Sequence, residues 1–479
     1  MINSGTMKRS AKRALAIIAI AVFAVTGCKK GSNGNFDRSN GAGGPFTGAD
    51  SVITGNISVS RTLTPGKVYK LNGIIFVTGG AKLTIKPGTL LTTGTLVGYR
   101  ASPTSSIQSV AGVLVVTKGS SIDAVGTASR PITFTSPKAA GSRQAGDFGG
   151  IIVLGKSPIN QAPRAFEGLP LYNSDGDPLG VDINYGGTES ADNSGRIQYV
   201  RIDYPGFLLT PDVGISGLTL AGVGSGTTID HIEVTYSRLD GFSFFGGTVN
   251  ASYLISLANA DDDFDFTYGY KGTIQYAICL KDPSSIHSLN SSGGPDSNGI
   301  ESDTEGNDQN TNPDRTHPVC SNFTLLGYAA SPINGSPLRL AAGARWRRNT
   351  DLSMTNSIIA GYSTGVEFFT GTATSATSGG FTGNAVHAYN IVFSPANSIS
   401  LSGSTNTTST EANPSLFVGI GLGSLSPFYS TVNSSSFTFN NLRPKVATTT
   451  LGAITSASLP QWNSGWVSFV PQTRVDSGL

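Results

Sequence analysis

Four carboxylates stand within five residues at Asp261-Asp262-Asp263-Phe264-Asp265. On an extended strand Asp261, Asp263 and Asp265 would share one face at about 6.6 Å spacing. Clustered carboxylates on a rigid face suit two chemistries. They are hard oxygen donors for calcium, which takes about six to eight oxygens. They also suit acid–base work on a glycosidic bond. The bland alternative is a solvated turn, because Asp favours tight bends and strand ends. The sequence leaves these readings open.

Other groups carry weaker signals. Arg345-Trp346-Arg347-Arg348 is a compact basic–aromatic group suited to an acidic glycan or a partner. Its bland alternative is a loop whose Trp packs on the core edge. Asn173-Ser174-Asp175-Gly176-Asp177 resembles a calcium loop but lacks the distal Glu of an EF-hand. His231, His287, His317 and His387 show no metal-ligand spacing. There is no G-x-S-x-G elbow, and no helix is expected after Gly222-Val223-Gly224-Ser225-Gly226, which reads as a turn between strands.

These groups need positioning elements, and composition says of what kind. The chain has 479 residues, 61 of them Gly, with 32 Lys and Arg against 30 Asp and Glu. Only 13% are charged, about half the usual share of roughly 25%. No basic block lies outside the N-terminal tail, which argues against nucleic acid. Three cysteines exclude a disulfide scaffold. The composition fits a large, Gly-punctuated β protein.

A repeat then appears: a small residue or turn followed by apolar, polar, apolar. Copies are Gly217-Leu218-Thr219-Leu220, Gly241-Phe242-Ser243-Phe244, Asp263-Phe264-Asp265-Phe266 and Gly299-Ile300-Glu301-Ser302. Further copies are read at Pro337-Leu338-Arg339-Leu340, Gly365-Val366-Glu367-Phe368 and Ser398-Ile399-Ser400-Leu401. A second set interleaves, at Tyr199-Val200-Arg201-Ile202, His231-Ile232-Glu233-Val234, Tyr253-Leu254-Ile255, Tyr276-Ala277-Ile278, Phe323-Thr324-Leu325, Ser357-Ile358-Ile359 and Tyr389-Asn390-Ile391. A shortest step near 22 residues, with two or three strands per turn, predicts an all-β, right-handed parallel β-helix with inserted loops. Phe242 then stacks over Phe264 and Phe244 over Phe266. Asp240 falls one coil before Asp262. Thr219, Ser243, Asp265, Glu301, Arg339, Glu367 and Ser400 point to solvent, with opposed charges as ladder neighbours. Asp240, Glu301, Asp303, Arg345 and Trp346 are the candidate ligand-binding residues. Glu301 and Asp303 lie in an inserted acidic stretch, 290–318. Cys279 and Cys320 are too far apart along neighbouring coils to bridge, so both are expected free and buried.

The expected organisation is a signal peptide at 1–27, a flexible tether at 28–50 and one β-helix domain at 51–479. Within the domain, 51–160 forms irregular early coils, 161–193 a loop, 194–405 regular coils, and 406–479 final coils with an aromatic cap. The N-terminus supports this address. Lys8, Arg9, Lys12 and Arg13 precede an apolar run from Ala14 to Val25, which ends in Val25-Thr26-Gly27-Cys28. That ending resembles the bacterial lipobox, whose Cys becomes the acylated N-terminus. Lys29 is not the Asp that retains lipoproteins at the inner membrane, so an outer-membrane lipoprotein is expected, on its periplasmic or surface face. Several acyl chains at Cys28 would give stable anchoring.

The stretches at 146–160 (GDFGGIIVLGKSPIN), 192–206 (DNSGRIQYVRIDYPG) and 222–277, with WNSGWVSFVP at 462–471, resemble uncharacterised β-helix lipoproteins of Bacteroidota. The resemblance spans roughly residues 65 to 471. It implies the fold and a cell-envelope location, and no reaction. Among β-helix proteins, pectate lyases use calcium with a basic residue and polygalacturonases use paired Asp; neither motif is matched here. The expected role is a non-enzymatic rigid surface that binds a glycan or an envelope partner such as a TonB-dependent porter, with calcium the only ion implied. The alternative is a polysaccharide lyase or glycoside hydrolase. It would use Asp261, Asp263 and Asp265 as its carboxylates, with Arg201 or Arg238 as the basic partner.

Overall fold

The computed structural model describes residues 51–476, apart from 211–212, 283–284, 291, 306–311, 329–339, 370–379, 389, 394–404, 410–449, 457 and 463–464. Cys28 and the leader therefore lie outside the described residues. The strands of successive coils pair in parallel as two long sheets of 17 and 10 strands among the described residues. Parallel pairing with a coil of 22 residues follows from the apolar alternation: Phe242 pairs with Phe264 and Phe244 with Phe266. Their rings sit 5.0 and 5.4 Å apart, each pair adding about 0.5–1.5 kcal/mol to its burial. The architecture is the expected parallel β-helix.

The larger sheet bends within each long strand. The bends fall at Tyr199, His231, Tyr253, Tyr276 and Asn322, all with φ between 51° and 61°. A non-glycine residue there is strained by about 1–3 kcal/mol. Stacking offsets the strain, because rings repeated at one corner meet face to face. Tyr199, His231, Tyr253 and Tyr276 form a continuous stack with centroids 4.3, 4.6 and 5.1 Å apart. The bend divides the sheet into two limbs, and the ten-stranded sheet, here called the wall, forms the third side of each coil.

Several local expectations are corrected. The wall ladder runs Asp265, Glu301, Arg345, Glu367, so the strand is Ala342–Trp346 and not residues 337–340. Trp346 decides this register: its ring fills the inward place against Phe368 at 4.7 Å. Arg339 and Ser400 lie outside the described residues. Asn390–Phe393 joins the wall, and Ala385–His387 takes its expected place in the bent sheet. Phe323 pairs with Ala277, one residue from the expected Tyr276. Thr219 and Ser243 do face away from the solenoid core, but they are buried and not solvated. Cys279 and Cys320 are free and buried, as expected.

Residues 161–193 are more than a loop. Arg164–Ala165 pairs with Asn184–Tyr185, and Tyr172–Asn173 extends a hairpin through Val97–Arg100. Phe166, Leu169, Ile183 and Tyr185 bury against Ile74, Phe76, Val113, Val115 and Ile152 on the outside of the wall. This explains why Ile74–Val77, Val113–Val116 and Gly150–Leu154 are continuous apolar runs: both of their faces are covered.

The C-terminal segment is a strap along the bent sheet and not a cap on the last coil. Asn322 Nδ2 donates to Gly452 O at 3.2 Å. Trp462 meets Tyr253 edge-on at 5.4 Å, and Trp466 meets His231 at 5.2 Å. Both oxygens of Glu233 accept the Ser468 N–H, at 3.1 and 3.0 Å. Arg143 donates to Pro471 O at 3.1 Å and pairs with Asp476 at 2.9 Å. The strap thus runs back from the coil of Asn322 toward the early coils. The Trp466→Ala variant should lose about 3–5 kcal/mol in urea unfolding. A loss under about 0.5 kcal/mol, normal for a surface position, would show that the strap is not part of the core.

Candidate functional site

The chain turns between the bent sheet and the wall just before each wall strand. Asp240 lies in one such turn and Asp261–Asp263 in the next, because strand pairing resumes only at Phe264. The three alternate aspartates therefore do not share one face. Asp263 turns inward, takes a hydrogen bond from Ser256 and lies 3.5 Å from Lys281 Nζ, with both side chains fully buried. Lys281 also donates to the Asp261 backbone carbonyl. Asp261 accepts from Ser288. Asp262 Oδ1 accepts the Asn298 N–H and Nδ2, each at 2.8 Å. Asp240 accepts from Ser216 at 3.0 Å and Ser243 at 2.9 Å, and its other oxygen takes the Asp262 N–H at 3.2 Å.

Asp240, Asp261 and Asp262 converge, and one carboxylate oxygen from each lies within 4.8 Å of the others. No Lys or Arg forms an ion pair with these three among the described residues. Asp265 stands next to them on the outer face of the wall, without a hydrogen-bonding partner among the described residues. Burial raises the pKa of Asp240. Burial and then the neighbouring carboxylates hold Asp261, Asp262 and Asp265 well above the usual carboxylate range. Burial also pushes Asp263 up to about 6, with Lys281 opposing it. A set of anionic oxygens this close and this little neutralised fits a hard cation such as calcium. Asp240, Asp261 and Asp262 would hold it. Such a cation would neutralise the cluster and offer an anionic ligand oxygen a point of attachment.

The other candidate residues form a second, self-neutralising network. Arg345 pairs with Asp296 at 2.8 Å, with Glu301 at 3.2 Å and with Glu367. Asp303 binds Arg347 at 2.8 Å and Arg348 at 2.6 Å. Glu301, Asp303 and Arg345 are therefore committed to one another. Trp346 is buried in the core, its Nε1 donating to Leu352 O at 3.0 Å. Arg201, on the strand Gly195–Asp203, is engaged by the strap, donating to Gly465 O at 3.1 Å. Arg238 is exposed beside Gly146 and Gly206. Asn173 spends its Oδ1 on the Asp175 and Asp177 N–H groups at 3.0 and 2.8 Å, which closes the turn. His287 reaches Asp282 O at 2.8 Å and His317 reaches Asp351 at 3.0 Å.

A family model described as the pectate-lyase-like β-helix domain matches residues 55–467. The chain belongs to this family. No curated protein and no solved structure matches it. Membership covers the coils, the wall and the strap up to Val467, so the acidic turns lie inside the family domain. Sequence reasoning placed Asp240 beside Asp262 from the 22-residue coil. It missed Lys281, which directly follows the strand Thr273–Leu280, and Ser288 and Asn298, which reach the turns from an excursion that has no fixed period.

Buried carboxyls fix the sign of the pH dependence. Burial raises Glu301 and Glu233 each to about 8, against the arginines that pair with them. Such a group binds its proton more tightly folded than unfolded. Its contribution to stability is complete below about pH 4 and is lost as pH rises through 8. Melting temperature should therefore fall between pH 6 and 8.5, and Glu301→Gln should shallow that fall. A flat profile with unchanged slope in the variant would contradict the burial assigned to Glu301.

Proposed function

We propose that this chain is a lipid-anchored outer-membrane protein of the cell envelope that binds an acidic glycan without cleaving it. A divalent cation held by Asp240, Asp261 and Asp262 links the wall to the glycan. One observation carries this reading: three carboxylates converge within 4.8 Å, and among the described residues no Lys or Arg forms an ion pair with them. The basic side chains along the wall are already engaged. Arg345, Arg347 and Arg348 are bound by carboxylates, and Lys281 is buried behind the turn. None of these four is free to act as a base on a bound sugar. The anchor rests on the basic n-region, the apolar run to Val25 and the Val25-Thr26-Gly27-Cys28 sequence.

A lyase or glycoside hydrolase at the same wall is the second reading. Asp265 favours it: a shielded carboxyl with a raised pKa and no partner among the described residues suits a proton donor.

Incubating the chain with acidic and neutral polysaccharides, in calcium or in chelator, separates the two. Binding to the acidic polysaccharides should require calcium and weaken at least roughly tenfold in Asp262→Asn, with no new reducing ends. Binding indifferent to calcium and to Asp262 would sink the proposal. New reducing ends that vanish in Asp265→Asn would replace it with the enzymatic reading. Separately, Cys28→Ser should move the chain from the membrane fraction to the soluble fraction. Unchanged membrane association would contradict the anchor.

A further inference from the structure

The charge of the folded body is divided along its length. Residues 51–130 contain eight Lys and Arg and one carboxylate, Asp123. Residues 131–479 contain seventeen Lys and Arg and twenty-seven Asp and Glu. The early cations form no run in the sequence, so they do not read as a basic block. Coil stacking gathers them. Arg61 pairs in register with Leu83, next to Lys82, and the Lys82 N–H binds Ser60. Lys70 pairs in register with Val52. The one carboxylate, Asp123, is shared between Lys82 at 3.5 Å and Arg196 at 2.7 Å. Arg61, Lys82 and Lys86 are exposed and Lys67 is half-exposed.

The same coils expose apolar side chains. Val52 is 55%, Val59 78%, Leu96 56% and Ile107 51% exposed. Val52 and Val59 lie in the first coil, whose strands Ser51–Thr54 and Arg61–Leu63 pair on one side only among the described residues. Cations interspersed with exposed aliphatic side chains fit an anionic lipid interface, where each Lys or Arg adds about 1 kcal/mol of attraction and apolar groups enter the headgroup boundary.

We infer that the N-terminal end of the solenoid, carrying Val52, Val59, Arg61, Lys67 and Lys86, seats on an anionic phospholipid surface. The body would then stand end-on to the membrane, with the acidic turns at Asp240 and Asp261–Asp263, in later coils, held away from it. The inference extends the lipid-anchor reading, because acylated Cys28 would lie 23 residues before Ser51. Its test needs no acyl chain.

The test is co-sedimentation of the mature chain carrying Cys28→Ser with two kinds of vesicle, phosphatidylcholine alone and phosphatidylcholine mixed with phosphatidylglycerol. The chain should bind the anionic vesicles and not the neutral ones. The triple variant Arg61→Glu, Lys67→Glu, Lys86→Glu should weaken that binding at least roughly tenfold. Val52→Ser with Val59→Ser should weaken it as well. Lys156→Glu with Lys271→Glu, reversing a half-exposed and an exposed cation outside residues 51–130, should leave it unchanged. Absence of binding, equal binding to both vesicles, or equal loss in the control variant would overturn the inference. So would light scattering that shows the exposed coil consumed by end-to-end pairing of two copies. Failure to find acyl groups on native Cys28 would sink the anchor and leave the vesicle result standing.

Discussion

The backbone ladder between coils is the constraint on which everything else depends. Parallel pairing sets each coil about 4.8 Å from the last, so whatever side chain recurs at one position is stacked on its equivalent. Inside, that repetition is favourable: Phe242 lies on Phe264, and Trp346 on Phe368. At the corner it makes a row of left-handed tyrosines tolerable through ring stacking. Outside, the same rule forces carboxylates of successive turns together whether or not they attract. Asp240 and Asp262 are neighbours because the coil between them is 22 residues long.

The wall answers that crowding in two ways. Toward the later coils the sign alternates, and Glu301, Arg345 and Glu367 neutralise one another down the ladder. At Asp240, Asp261 and Asp262 no such alternation occurs. The turn instead surrounds the carboxyls with Ser216, Ser243, Ser288 and the Asn298 amide, donors that orient oxygens without adding charge. A bound cation or retained protons must supply the missing positive charge, and only the cation leaves all three groups ionised. That difference makes the acidic turn a site, while the arginine network beside it reads as structure.

How far the sequence disclosed this depends on period. The inward Phe pairs and the Asp240–Asp262 proximity follow from a fixed 22-residue step and are legible in the sequence. The step fails wherever a loop intervenes. Alternation alone puts the strand after Glu301 at Leu338-Arg339-Leu340, because the apolar pattern there looks like that in Ala344-Arg345-Trp346; only the volume of Trp346 in the core distinguishes them. Asp261, Asp263 and Asp265 alternate in the sequence, but alternation has meaning only inside a strand, and the strand starts at Phe264. The position of the strap is hidden for a similar reason. Trp462 and Trp466 announce burial without saying against what, and their partners Tyr253 and His231 lie more than two hundred residues earlier.

Diffraction from crystals grown with calcium, recorded for anomalous scattering, tests the central claim most directly. One strong anomalous peak is expected between Asp240, Asp261 and Asp262, with carboxylate oxygens about 2.3–2.6 Å away. A map with no peak there, and with the three carboxyls hydrogen-bonded to one another through shared protons, would contradict it.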